Sequence, residues 1–363
     1  MISDKIHESE SLQRIAKPLL AWYGKNCRDL EWRKDPLPYY VWVSEIMLQQ
    51  TRVEAVKPYF SRFIRELPDI AALARCPEEK LLKLWEGLGY YSRVRNLQKA
   101  ARMVMSDYGG SLPDEVSLLL RLPGIGPYTA GAIASIAFQV PAPAVDGNVL
   151  RVLSRITGST ECIDDPGVRK AFEEQIRTFL EKNAGTYPPG QFNQALMELG
   201  AVICLPNGVP CCDTCPAGSL CLARKEGRIT DIPVRLAKKA RRIQEMTVLV
   251  IRDQTRMVIG KRPARGLLAG LWELPNAPGH LTSDQALVHA RRLGVPALRI
   301  RPLPEETHIF THVEWRMSGY LILAEEMEET PLHGRFLAAD IAQIEREYSI
   351  PAAFARYVKY LDK

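Results

Sequence analysis

The sequence lacks any apolar run long enough to cross a bilayer. In its first half the longest is AGAIASIAF (130–138), far short of the roughly 20 residues that a spanning helix needs. It also lacks a leader pattern: MISDKIHESE is polar and no hydrophobic stretch follows. These absences give no sign of a membrane-spanning helix, and a cytoplasmic protein is the default expectation. There is no internal repeat and no low-complexity tract, so compact globular domains are expected. Charge of one sign does not dominate. Lys and Arg number 48 against 42 Asp and Glu, a net +6, which permits polyanion binding without requiring it. Disulfides are not expected in a reducing compartment, so the eight cysteines need another explanation.

With 363 residues the chain is long enough for two domains with cores of their own. Residues 1–223 carry recurring helical periodicity, at 11–25, 43–64, 78–89, 93–109 and 168–182. Residues 224–243 form a basic linker, with eight Lys or Arg against two acids in 224–242. From residue 244 the period becomes two. Segments 245–253 and 256–263 predict a strand pair, and 306–323 predicts a second hairpin. Helices are expected at 283–294 and 351–362. The fold class is therefore an all-α region followed by a smaller α+β domain, 244–363.

Three motifs carry chemistry. In LPGIGPYTA (122–130), Gly124 and Gly126 permit a tight turn, and Pro127 suits the first position of a helix whose free amides can hold a phosphate. Downstream, AVDGN (144–148) places Asp146 and Asn148 at a helix start, where each either caps the helix or acts on a ligand. Finally, five of the eight cysteines fall between Cys204 and Cys221, in a segment rich in Pro and Gly. Such clustering indicates a soft metal. Cys204, Cys212, Cys215 and Cys221 are spaced C-x7-C-x2-C-x5-C. Cys211 is an alternative second ligand, and Cys212 is preferred because it keeps C-x2-C-x5-C intact. Cys27, Cys76 and Cys162 stand alone and are expected to be packing residues.

Together these motifs resemble the helix-hairpin-helix base-excision glycosylases, and within them the branch of endonuclease III and MutY. The resemblance implies one 4Fe-4S cluster on Cys204, Cys212, Cys215 and Cys221. It makes Asp146 catalytic. Lyase-competent relatives carry Lys after the proline; this chain has Tyr128, which cannot form an imine, so a monofunctional glycosylase is implied.

Residues 28–53 resemble the MutY-type adenine DNA glycosylases. By that resemblance Glu45 is the catalytic acid, expected in the first turn of a helix, where the dipole would depress its pKa and desolvation would raise it. Tyr128 and Asn148 position the sugar. Arg28, Leu30, Trp32 and Glu198 line the base pocket, and Gln50 and Thr51 meet the duplex. Leu88 and Tyr90 are wedge residues. The second domain resembles the Nudix-related C-terminal domain of the same enzymes. Where Nudix hydrolases keep metal-binding glutamates, this chain has Arg291 and Arg292, so no magnesium chemistry is expected and the face could suit DNA. Phe310, Thr311 and His312 stand where the family reads 8-oxoguanine, with Thr in place of its usual Ser. The implied substrate is double-stranded DNA with adenine opposite 8-oxoguanine or guanine, bound by a monomer. The alternatives are a thymine–guanine mismatch glycosylase and a lesion-binding protein without activity.

Overall fold

The computed structural model describes residues 9–237, 240–328 and 331–360. Lys238 and Lys239 of the basic linker lie outside them, as do the last residues of the terminal helix expected at 351–362. The chain packs as two units. One comprises residues up to Arg75 together with Arg95–Ala237; the other comprises Cys76–Val94 and the residues after Ala237. The helical segment 76–94, which sequence periodicity places in the first domain, thus packs with the second.

The first unit is helical. Its core gathers one face from each of four helices, Ser9–Asn26, Gly147–Thr157, Pro166–Lys182 and Pro189–Val202, around Leu19, Leu153, Phe172, Phe179 and Phe192. The periodic stretch 43–64 is two helices rather than one, Pro38–Leu48 and Val53–Glu66. The break falls at Gln50, whose φ of 59° is left-handed, a conformation that ends a helix at a cost small enough for a polar residue at a turn to bear. Glu45 accordingly lies in the third turn of its helix, not the first. The helix dipole acts only within the terminal turn, so it does not lower this carboxyl.

The second unit holds a seven-stranded sheet: β1 (Arg242–Arg252), β2 (Arg256–Lys261), β3 (Trp272–Glu273), β4 (Asn276–Pro278), β5 (Ala297–Ile309), β6 (Val313–Ala324) and β7 (Phe336–Asp340). The order is β3-β2-β1-β6-β5, with β4 on β1 and β7 on β2. β1 runs parallel to β6 through eleven aligned pairs, from Arg242 opposite Val313 to Arg252 opposite Leu323. Both faces are covered. Met246, Val248 and Val250 point into one core with Trp315 and Phe354; Leu249 and Ile251 point into another with Ala286 and Ala290 of the helix Ser283–Arg292. That alternation is the period-two pattern read from the sequence. The expected terminal helix is a single turn, Ala355–Val358.

Candidate active site

Glu45 is 6% exposed and sits in the wall of a cavity of about 1210 Å³, more than the roughly 300–1,000 Å³ typical of a small-molecule site. Arg28, Leu30, Trp32, Gln50, Thr51, Tyr128, Asp146, Asn148 and Glu198 all line the same cavity. These residues span 170 positions of sequence and converge because the helices Pro38–Leu48, Pro127–Phe138, Gly147–Thr157 and Pro189–Val202 meet there. Gly200 lets two of them close: a Cβ on it would lie 2.7 Å from Cβ of Asn148.

The Tyr128 hydroxyl donates to Glu45 Oε2 at 2.6 Å. Burial pushes the Glu45 carboxyl up to about 7; the Tyr128 hydrogen bond partly opposes this, the charge of Asp146 adds to it and Arg33 resists it. Burial and the neighbouring carboxylates also raise the phenol well above its ordinary value, so Tyr128 stays protonated.

Asp146 caps its helix, and both its oxygens accept hydrogen bonds. Its Oδ1 accepts from the Val149 amide at 2.8 Å and its Oδ2 accepts from Asn148 Nδ2 at 2.7 Å. Burial raises its pKa, while those hydrogen bonds and Arg151 hold it down. Asn148 does not cap backbone amides. Its Oδ1 accepts from Arg151 Nη2 at 2.9 Å, and Arg151 also donates to the carbonyls of Gly200 and Cys204, each at 2.8 Å.

Glu198 is fully buried and gripped by two arginines, Arg28 Nε and Arg33 Nη2, each at 2.7 Å. Burial would raise its pKa; the hydrogen bonds from Arg28 and Arg33 outweigh that and hold it at about 2. Glu198 is therefore a permanent anion that orients Arg28. Arg33, Arg151 and Met197, whose Sδ lies 3.6 Å from the Tyr128 hydroxyl, are site residues that the motifs did not single out. The acid at 198 was the one available signal that buried cations would sit nearby.

Gly124 has a φ of +82°, and a Cβ there would meet Asn96 Cβ at 2.9 Å, so the turn requires glycine. Gly126 has open space around it and no side-chain cap on the helix Pro127–Phe138 that it begins. A helix start with no side-chain cap is the kind of place that can hold a phosphate.

Cys204, Cys212, Cys215 and Cys221 line one small cavity with Val152, Ile156 and Leu199, and the exposed Cys211 does not. A Cβ on Gly218 would lie 2.8 Å from the Cys212 carbonyl and 3.1 Å from that of Cys215, so the loop is wound tightly round this space. Burial raises the Cys215 thiol to about 11 and raises Cys212 and Cys221 as well. Among the described residues no three Cys, His, Asp or Glu side chains converge as ligands of a single ion do. Of the isolated cysteines Cys76 is buried and Cys162 half-buried, but Cys27 is exposed and does not serve packing.

The other expected contacts lie in the second unit. Leu88 is 6% exposed, so it presents no wedge to solvent in this structure. Tyr90 is exposed, with φ 47°, and its hydroxyl lies 2.7 Å from Thr311 Oγ1. Phe310 is wedged between His308 and Trp315, with ring centroids 4.6 and 4.8 Å away, leaving Thr311 and His312 exposed at the β5–β6 tip. Arg291 and Arg292 are exposed in the last turn of Ser283–Arg292, where a helix favours cations.

The cleft gathers the carboxyl groups of Glu45, Asp146 and Glu198 on a helical frame, an arrangement similar to that of the helix-hairpin-helix base-excision class. The HhH-GPD superfamily base excision DNA repair protein model matches residues 43–178, and the NUDIX domain model matches 247–360. The helical part is similar to a solved structure of a thermostable thymine-DNA glycosylase, with 28% identity and a TM-score of 0.54 over 60% of this chain and 98% of that one. An adenine DNA glycosylase of Mus musculus is 36% identical over 85% of this chain and 70% of its own length. One of Arabidopsis thaliana is 37% identical over 89% of this chain and 59% of its own length. The chain belongs to the adenine DNA glycosylase family. It spans little more than half the length of the Arabidopsis relative. No helix among the described residues is long and apolar enough to cross a membrane.

Proposed function

We propose that this protein removes adenine mispaired with 8-oxoguanine or guanine in duplex DNA, acting as a monomeric, monofunctional glycosylase. The observation that carries the reading is the buried Glu45 carboxyl, hydrogen-bonded by Tyr128 and in one cleft with the carboxylate of Asp146; burial lifts it to about 7. A group with such a pKa exists in both protonation states near neutrality, as a general acid requires.

Adenine must first leave the stack, at a cost of a few kcal/mol that a mispair lowers. Protonated Glu45 gives its proton to N7 of the extruded purine. The bond between the base and C1′ breaks, its electron pair leaving with adenine. Positive charge then develops on the sugar, and Asp146 stabilises it, following the logic of two-carboxylate glycosidases. Water adds to C1′ as ionised Glu45 takes its proton. Tyr128 keeps Glu45 aligned and, lacking an amine, leaves the strand uncut. Arg28, set by Glu198, together with Leu30 and Trp32, shapes the base pocket. The uncapped helix start at Gly126 and the basic residues grip phosphate, so binding weakens with salt.

The thiols of Cys204, Cys212, Cys215 and Cys221 fit a 4Fe-4S cluster: four soft donors surround one cavity and do not close on a single ion. Such a cluster, when bound, supplies a covalent brace for the loop. Arg224 donates to the Cys212 carbonyl at 2.7 Å from the same loop. The test is identification of the released base. Duplexes carrying adenine opposite 8-oxoguanine or guanine, and thymine opposite guanine, are incubated with the protein. Free adenine with an alkali-labile abasic site is expected. Release of thymine alone would favour the mismatch thymine glycosylase, and release of no base would favour a lesion-binding protein.

A further inference from the structure

The loop Gly87–Tyr90 is held in an unusual conformation. Gly87, Gly89 and Tyr90 have φ of 100°, 69° and 47°, and left-handed backbone at a bulky residue persists only where its surroundings over-determine it. Inside the loop the holders are Trp85 and Arg93. Trp85 Nε1 donates to the Gly89 carbonyl at 3.0 Å, and Arg93 Nη2 donates to the carbonyls of Leu88 and Gly89 at 2.9 and 3.2 Å.

The loop is also fastened on both sides to one short piece of the sheet domain, Tyr348–Ile350. Before the loop, Glu86 accepts from the Ile350 amide at 2.7 Å. Lys83, paired to Glu86 at 2.6 Å, donates to the Tyr348 carbonyl at 3.1 Å. After it, the Tyr91 hydroxyl lies 3.2 Å from Ser349 Oγ, and both residues are buried. Ser349 in turn accepts from the Trp272 amide at 3.2 Å through its carbonyl, and the Trp272 indole donates to Glu79 at 3.2 Å. The loop's tip meets the same domain again where Tyr90 touches Thr311.

We infer that Glu86 and Tyr91 are positioning residues that fasten the Gly87–Tyr90 loop to the sheet domain, and so determine preference for the base opposite adenine. Neither touches a base. They act by fixing where Tyr90 stands relative to Thr311 at the β5–β6 tip. A charge-assisted hydrogen bond from Ile350 is among the stronger kinds, and its loss frees one side of a strained loop. The inference rests on the adenine-releasing activity proposed above.

The test is single-turnover excision of adenine from two duplexes, opposite 8-oxoguanine and opposite guanine, with the full chain. Glu86→Ala is expected to slow excision opposite 8-oxoguanine about tenfold while leaving that opposite guanine within about twofold, the size that loss of one such bond implies. Glu86→Gln keeps an acceptor for the Ile350 amide and restores most of the preference. Tyr91→Phe, which removes one hydroxyl and no bulk, moves the ratio in the same direction by about threefold even if Glu86→Ala folds poorly. Equal slowing on both duplexes, or an unchanged ratio in Glu86→Ala and Tyr91→Phe, overturns the inference. A wild-type chain that excises adenine equally from both duplexes also overturns it while leaving the proposed activity intact. A wild-type chain that releases no adenine overturns both.

Discussion

Tyr128 and Glu45 share one proton-bearing contact of 2.6 Å, in which the phenol steadies the carboxylate and the carboxylate keeps the phenol protonated. Neither effect equals burial, which dominates both groups. The pair therefore tunes an acid that its surroundings have already lifted to about 7.

The pH dependence of excision follows from that pair. Glu45 is protonated below about 7, so the single-turnover rate is expected to be flat at lower pH and to fall as pH rises above it. Tyr128→Phe removes the hydrogen bond that lowers Glu45. Its alkaline limb should move to higher pH, even if the plateau drops. A limb that stays put or moves down would show that Tyr128 does not set the acid.

Stability carries the opposite signature. A carboxyl whose folded pKa is raised from 4.5 to about 7 costs nothing below the unfolded value. The cost grows as pH rises through that window and levels off above it, at roughly 3 kcal/mol. Glu45→Gln should therefore be more stable than the wild type at pH 8 by up to that amount, with the gain vanishing near pH 4.5, while releasing no adenine. Urea denaturation at the two pH values measures it.

Glu198 behaves in the reverse sense. Its folded pKa of about 2 lies below the ordinary 4.5, so its pairing stabilises fully above 4.5 and is lost as pH falls toward 2. Glu198→Gln leaves Arg28 and Arg33 without a counter-charge and should cost about 2–3 kcal/mol at pH 7, allowing for the partial exposure of the arginines. The gap between variant and wild type should narrow at pH 3; a gap independent of pH would point to packing alone.

The cysteine doublet gives a prediction of composition. Cys212 lines the thiol cavity and Cys211 is exposed outside it. Cys211→Ser should retain iron and brown colour, whereas Cys212→Ser should lose most of both. Elemental analysis of purified variants decides it, and the opposite outcome would move the second ligand to Cys211.

Much of this was legible in the sequence because the motifs are local. The turn at Gly124, the start of a helix at Pro127 and the cap at Asp146 each need only a few neighbours. The pairing of Glu198 with Arg33 was not legible, since its partners stand 165 residues apart and nothing in either local pattern points to the other. The break at Gln50 was hidden because no Gly or Pro marks it. Periodicity in 78–89 announced an apolar face but not its cover, so the packing of Cys76–Val94 with the sheet domain could not be read. The burial of Leu88 escaped for the same reason.

Gly200 has a consequence for how variants of this protein are read. The space between it and Asn148 is too small for one methyl group, so Gly200→Ala must push apart the helices that carry Asp146 and Glu198. Such a variant is expected to lose activity without any change in the reacting groups. In a survey of inherited or random substitutions, intolerance at position 200 measures the spacing of the cleft and says nothing about chemistry.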